Sequence, residues 1–178
     1  MKRYLPILCL ILLGACNSSK TYKQLKKKEI LIRPGVGILD FKLGESSGDE
    51  VIRELGLGYR KITHKTYSIE LKYEELGLSF YYKYEDPDQK IFTISCYAPL
   101  KAVCTNGIKL NSSSMQDVKE KYGELDWFSS DGSDYWGSEH MGIEYMVHRE
   151  LSLPQFPLEE SLHEQRRIVK IDIDSKER

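Results

Sequence analysis

The segment KLGESSGDEVIRELG (residues 42–56) is repeated, 67 positions further along the chain, as KLNSSSMQDVKEKYG (residues 109–123). In both copies a hydroxyl-rich run is followed by apolar residues spaced four apart, as in Val51 and Leu55. Serine oxygens accept the unpaired amides of a first helical turn, and the glycine that ends each copy adopts the left-handed conformation that terminates a helix. The repeat therefore predicts two short helices, each with a single apolar stripe.

Strand patterns surround each predicted helix. Apolar and aromatic residues alternate with polar ones in three segments after each helix, which is typical of half-buried strands. A short strand also precedes each helix, over residues 38–43 and 101–110, the second interrupted by the hairpin dipeptide Asn106-Gly107. The segments that follow the helices are residues 67–73, 78–84 and 91–97 in the first copy and residues 135–136, 143–147 and 168–173 in the second.

These elements predict an α+β protein made of two tandem βαβββ-type units. In each unit a short helix packs on an antiparallel sheet, because a single short helix cannot bury its apolar stripe alone. The first α+β repeat is predicted over residues 30–99 and the second over residues 100–178. We expect the units to abut through sheet edges or helix faces, which would also cover exposed edge strands.

The order of elements resembles known families. A duplicated helix followed by an antiparallel sheet is similar to the β-lactamase inhibitor protein fold, which shares its unit with small lipoproteins of outer-membrane assembly, the SmpA/OmlA family. The segments YEELGL (residues 73–78) and YWGSEHMGI (residues 135–143) also look like an uncharacterised bacterial lipoprotein domain marked by an aromatic, an acidic turn and then Leu-Gly-Ile. Together these resemblances cover residues 36–174 and imply a fold, but no motif of the inhibitor's binding loops is present.

The N-terminus has the three zones of a secretory signal peptide. Lys2 and Arg3 precede an apolar run over residues 4–13, and Leu13-Gly14-Ala15-Cys16 ends it. This last tetrapeptide resembles the lipobox of bacterial lipoproteins, which implies removal of residues 1–15 and attachment of lipid to Cys16. Asn17 in place of aspartate then implies the outer membrane, facing the periplasm. A cleaved signal with an incidental cysteine, or a hydrophobic anchor helix, are the alternatives.

The charge of the chain is divided unevenly. The 178 residues contain 26 basic and 27 acidic side chains, so no charge excess favours a nucleic-acid partner. The lysine-rich residues 16–29 are predicted to be a lipidated flexible tether, whereas residues 30–178 carry 19 basic and 26 acidic residues. An acidic body on a basic stalk is therefore expected, and the stalk could contact anionic lipid head groups or serve only as a spacer.

Two cysteines remain in the predicted body. Cys9 leaves with the signal peptide, whereas Cys96 and Cys104 lie eight positions apart on either side of Pro99. In an oxidising periplasm such a pair usually forms a structural disulfide, which we expect here. Two buried thiols or a redox pair are the alternatives, although a redox pair usually has Cys-x-x-Cys spacing.

Signals for catalysis are weak. The spacing of the four histidines does not place two of them on one helical turn, and no nucleophile-elbow motif occurs. We therefore expect no catalytic residue, no metal site and no cofactor other than the lipid on Cys16. Glu139, His140 and His148 could meet across a hairpin, which keeps a metal-dependent enzyme as a weaker alternative.

Aromatic residues are the remaining functional signal. Side chains alternate along a strand, so the segment FYYKY (residues 80–84) has aromatics on both faces, one of which should stay partly exposed. Because tyrosine and tryptophan anchor protein interfaces, Tyr82, Tyr84, Tyr135 and Trp136 are predicted to form a binding face. The sequence thus favours a non-catalytic protein-binding or envelope structural lipoprotein, with the membrane and another envelope protein as partners. An immunity or inhibitor lipoprotein that neutralises a toxin or hydrolase is the alternative.

Overall fold

The structure, a computed structural model, describes residue 25 and residues 28–65, 67–123, 125–130, 133–138, 142–148 and 166–175. The helices are α1, Gly48–Leu55, and α2, Met115–Tyr122, and a short 3-10 helix covers Glu74–Leu76. The strands are β1 Ile30–Arg33, β2 Gly37–Ile38, β3 Phe41–Lys42, β4 Arg60–His64, β5 Ser68–Tyr73, β6 Leu78–Lys83, β7 Ile91–Tyr97, β8 Ala102–Cys104, β9 Asp126–Ser130, β10 Ser133–Ser138, β11 Ile143–His148 and β12 Lys170–Asp174.

The strands form two sheets. Eight of them pair antiparallel in the order β4-β5-β6-β7-β12-β11-β10-β9, so that the four strands after α1 meet the four strands after α2 at the β7–β12 pair. The smaller sheet has the order β3-β2-β1-β8, and its β1–β8 pair is parallel. The chain is therefore α+β, as the sequence predicts.

The two helices begin and end as their sequences indicate. The Ser47 hydroxyl accepts a hydrogen bond from the backbone N–H of Glu50, and the Ser114 hydroxyl accepts one from Asp117, both at 3.2 Å. Asp117 returns a hydrogen bond to the Ser114 backbone and completes a capping box. The glycines that follow both helices have positive φ, as a helix terminator requires.

Equivalent backbone hydrogen bonds tie the residues before each helix to the last strand of its half. The N–H of Ile91 donates to the carbonyl of Ser46, and the N–H of Ile168 donates to the carbonyl of Ser113, 67 positions after Ser46. The same local geometry therefore recurs wherever the serine-rich segment is repeated.

The structure differs from the predicted units in its strands. In the described ranges, each helix is followed by four strands of the larger sheet rather than three, and the strands before the helices belong to the smaller sheet. The prediction missed β4 because this edge strand is mostly exposed and has no apolar alternation. It also missed β9, which forms the opposite edge.

The core lies between one face of the eight-stranded sheet and a layer made of the helices and the smaller sheet. Val51 and Leu55 of α1 and Met115 and Val118 of α2 are buried in one cluster with the inward-facing strand residues. Burial of each large apolar side chain stabilises the fold by roughly 1.5–3 kcal/mol.

The predicted tether is partly docked on this body. Leu25 is 6% exposed and belongs to the core cluster, and it lines a small cavity with Leu76 and Leu100. This position falls inside residues 16–29, which the sequence predicts to be flexible. Cys16 and the signal segment lie outside the described residues. Among the helices that are described, none has the length and apolar character needed to cross a membrane.

Candidate functional site

The face of the eight-stranded sheet that points away from the helices is polar, and we call it the outer face. Register places its residues in rows across four strands: Glu70 pairs with Tyr81, and Ser79 pairs with Ser95, which in turn pairs with Asp172. Their neighbours in each strand, such as Leu71 and Phe80, are buried in the core, because successive side chains point to opposite faces.

A groove of about 440 Å³ opens on the outer face where the two halves of the sheet meet. This volume is within the range of pockets that bind small molecules, which is roughly 300–1,000 Å³. Seven of the side chains that line the groove are polar or aromatic: Glu70, Lys72, Ser79, Tyr81, Tyr97, Asn111 and Lys170.

Glu70 is a buried carboxylate at the edge of the groove. The Ser79 hydroxyl donates to its Oε1 at 2.7 Å, and Nε2 of His64 lies 2.8 Å from its Oε2. Burial favours the protonated acid, but hydrogen bonds from Ser79 and His64 and the neighbouring His64 charge outweigh burial and hold the pKa of Glu70 below 4.5. Glu70 is therefore ionised and fixed in one orientation at neutral pH.

A second carboxylate is held in a similar way on β12. The Ser95 hydroxyl donates to Oδ1 of Asp172, and Nζ of Lys170 donates to its Oδ2 at 2.7 Å. Asp172 and Ser95 are both buried. On the outer face, the hydroxyls of Ser79 and Ser95 thus each donate a hydrogen bond to a carboxylate.

Two tyrosine side chains, Tyr81 and Tyr97, also line the groove on the outer face. Burial, and then the charge of Glu70, raise the pKa of Tyr81 to about 12, and burial also raises the pKa of Tyr97. Nζ of Lys72 lies 5.8 Å from the centre of the Tyr97 ring, within the range of a cation–π contact. Both phenols therefore stay neutral at physiological pH and act as hydrogen-bonding and stacking surfaces.

The predicted binding face is only partly where the sequence placed it. Tyr82 is 4% exposed and belongs to the core, so its assignment to an exposed face was wrong. Tyr84 is 54% exposed but follows the end of β6, and its N–H donates to the carbonyl of Tyr67 away from the groove. Tyr135 and Trp136 lie in β10, and their side chains are outside the described part.

The groove residues Tyr81 and Tyr97 were missed for an identifiable reason. The alternation in FYYKY leaves open which set of residues faces the core, and the prediction placed Tyr82 and Tyr84 on the exposed face. Phe80 has no polar group and should mark the buried face, which assigns Tyr81 to the outer face. The missed signal was therefore the phenylalanine at position 80.

The cysteines also differ from the expected disulfide. The structure holds Cys96 and Cys104 as free thiols, and both are buried. Burial raises the pKa of both thiols, and the Tyr145 hydroxyl donates to Sγ of Cys104 at 3.9 Å. Because the thiolate is the reactive form, this environment disfavours oxidation of either sulfur.

Of the three residues in the weaker enzyme alternative, the structure describes the backbone of one. Glu139 and His140 lie outside the described residues, and His148 is the last residue of β11, paired with Ser133. Across the described ranges, no cluster of three or more His, Cys, Asp or Glu side chains could hold a metal ion.

Comparison with known proteins identifies a fold. No family model matches the chain, and no curated protein matches it. The structure is similar to that of the uncharacterized protein yfeY from Escherichia coli, with a TM-score of 0.57 and 14% identity over 83% of this chain and 99% of that one. That likeness shows a shared fold. A DUF4309 family protein, YjgB, from Bacillus subtilis subsp. subtilis str. 168 matches with a TM-score of 0.49 and 10% identity, over 89% of this chain and 95% of that one.

Glu70 should make the stability of the protein depend on pH. Its native pKa is lower than the unfolded value of 4.5, so the ionised carboxylate contributes stability above pH 4.5 that is lost as the pH falls through the native pKa. We expect Glu70→Gln to cost about 1 kcal/mol at pH 7 and progressively less in acid.

Urea unfolding from pH 7 to pH 3 measures this difference. Asp174→Asn is the matched control, and its effect on stability should change with pH in the opposite direction. Burial raises the pKa of Asp174 above 3.8, although Thr93 donates a hydrogen bond to this carboxyl group. A Glu70→Gln cost that stays constant with pH would contradict the assignment.

Proposed function

We propose that this chain is a lipoprotein of the bacterial envelope, anchored through lipid on Cys16, and that its outer-face groove binds an envelope component without catalysing a reaction. Support for the anchor comes from Leu13-Gly14-Ala15-Cys16 and the signal-like residues before it. Asn17 favours the outer membrane, with the body facing the periplasm.

The groove carries the binding part of the proposal. Burying a carboxylate is costly, and Glu70, which lines the groove, is held in a fixed position by the Ser79 hydroxyl. Lys170, which also lines it, is held by Asp172. Such fixed polar groups beside aromatic side chains in a concave site are typical of binding sites. A solvated sheet face is normally polar, so polarity alone is not the support. The support is that a buried, oriented carboxylate lies beside aromatic side chains in a groove.

We also propose that the fold contains two copies of one unit, a short helix and the antiparallel strands that follow it. Support comes from the serine caps, which recur 67 positions apart, and from the backbone hydrogen bonds that the residues before both caps accept from Ile91 and Ile168. The groove then lies at the β7–β12 junction, where the copies meet. A site at such a junction requires both copies.

Binding can be measured by sedimentation with isolated cell envelopes. The chain from residue 17 onward lacks the lipid, so any saturable co-sedimentation reports the body rather than the anchor. We expect Tyr81→Ala and Tyr97→Ala to weaken it about tenfold each, because aromatic contacts are lost. Tyr84→Ala is the matched control and should bind like the unmodified chain. Equal binding by all variants would refute the groove as the site.

Lipidation can be tested by labelling cells with radioactive palmitate. The intact chain should be labelled, and Cys16→Ser should not be, because only the sulfur of the lipobox cysteine receives diacylglycerol. Cys9→Ser is the matched control and should be labelled normally, since residue 9 leaves with the signal segment. Labelling of Cys16→Ser would contradict the anchor.

A further inference from the structure

The charged side chains that line the groove are already paired within the chain. Glu70 accepts hydrogen bonds from Ser79 and His64, and Nζ of Lys170 donates to Asp172 at 2.7 Å. Nζ of Lys72 lies 3.5 Å from Oε1 of Glu74. An ionic ligand would compete with these pairs, so it would gain less from the charged groups than it would from an unpaired charge.

The strands at the base of the groove have no free edge. Its base is formed by strands in the middle of the sheet, and β7 is paired with β6 on one side and with β12 on the other. An extended peptide that recognises a sheet does so by pairing with a free strand edge. The groove therefore cannot take a peptide by strand pairing, which does not favour a peptide ligand.

Because these charges are balanced within the chain, what remains for a ligand is a surface of ring faces and hydrogen-bonding groups without an unpaired charge. Tyr81 and Tyr97 carry neutral phenols, and Met146 and Val169 add apolar surface beside them. A sugar ring matches this surface, because its C–H groups can lie on an aromatic or apolar face while its hydroxyls exchange hydrogen bonds with carboxylates, ammonium groups and phenols.

We infer that the groove binds an uncharged oligosaccharide, with a sugar ring against Tyr97 and its hydroxyls directed at Glu70 and Lys170. This inference rests on the proposed function and specifies the class of envelope component that the groove takes. A groove of about 440 Å³ accommodates a short oligosaccharide rather than a folded partner.

Isothermal titration of the full chain tests the inference. The protein is purified in lauryldimethylamine oxide, a detergent without a sugar head group, and titrated with chitotetraose, cellotetraose and maltotetraose as uncharged probes. The deacetylated form of chitotetraose keeps the same backbone and adds positive charge, and tetragalacturonate supplies negative charge. We expect at least one uncharged probe to bind, and both charged probes to bind more weakly than it.

Variants locate the binding. Tyr97→Ala should weaken it about tenfold, whereas Tyr97→Phe, which keeps the ring, and Tyr84→Ala, which lies outside the groove, should bind nearly as well as the unmodified chain. Thermal unfolding of each variant establishes that it is folded. Full affinity in a folded Tyr97→Ala chain, or equal or tighter binding of a charged probe, would overturn the inference.

Failure of the inference is distinguishable from failure of the proposed function. If none of the three uncharged probes binds while envelope sedimentation still depends on Tyr97, the saccharide assignment is wrong, although the groove is still the binding site. If sedimentation is also independent of Tyr81 and Tyr97, the groove is not the binding site and both proposals fall.

Discussion

Replacing Gly77 by alanine is expected to lower the free energy of unfolding by about 4 kcal/mol, a large share of the total stability of a small protein. Gly77 directly precedes β6 with a φ of +68°, and a Cβ there would lie 2.1 Å from the carbonyl oxygen of Tyr97 and 2.8 Å from the amide nitrogen of Leu100. Both are backbone atoms, so the clash cannot be relieved by a rotamer change. The Gly77 carbonyl also accepts the N–H of Tyr97, which ties β6 to the end of β7.

Gly44→Ala is the matched control for backbone strain. Gly44 has a similar φ of +73°, but no atom lies within 4 Å of an added Cβ. We expect it to cost about 1 kcal/mol from the left-handed conformation alone. Chemical denaturation of both variants measures the difference, and equal losses would show that the Gly77 contact is not as close as described.

Tyr82→Ala is expected to destabilise the protein by about 3–4 kcal/mol, because it empties a buried site in the core. The Tyr82 ring packs against Gly48 at the start of α1, where an added Cβ would lie 3.0 Å from the ring. Tyr84→Ala, two residues further on, should change stability by less than about 0.5 kcal/mol because its side chain is exposed.

Urea denaturation of the two tyrosine variants separates a core role from a surface role. If Tyr82→Ala folds with unchanged stability and loses binding to the envelope, then Tyr82 belongs to the binding surface. That outcome would reverse the assignment of the two faces of β6.

The helices could be predicted because their signals are local. Ser47 and Ser114 lie three residues before the amides that they cap, and Gly56 and Gly123 directly follow the helices. These interactions do not depend on the rest of the fold, so a window of fifteen residues contains all the information that is needed.

The sheets were less predictable because their pairing is not local. β1 pairs with β8 through Ile30 and Ala102, and β7 pairs with β12 through Ser95 and Asp172. Nothing in the segments themselves indicates those partners. The polar edge strand β4 also has no apolar alternation that would mark it as a strand.

The candidate site depends on the same pairing. Two of its charged groups, Glu70 and Lys170, come from strands in different halves of the sheet, and Ser79 and Asp172 hold them in place. Sequence alone could indicate exposed tyrosines but could not bring these groups together. A wrong choice of face for one strand, β6, was enough to replace Tyr81 with Tyr82 in the prediction.

Photo-crosslinking in living cells tests most directly whether the outer-face groove is the binding site. p-Benzoylphenylalanine, which inserts into C–H bonds of proteins and saccharides alike, is placed at Tyr97 in one strain and at the exposed Tyr84 in another. The account predicts an irradiation-dependent adduct from position 97 and none from position 84. An adduct from position 84 and none from position 97 would contradict it.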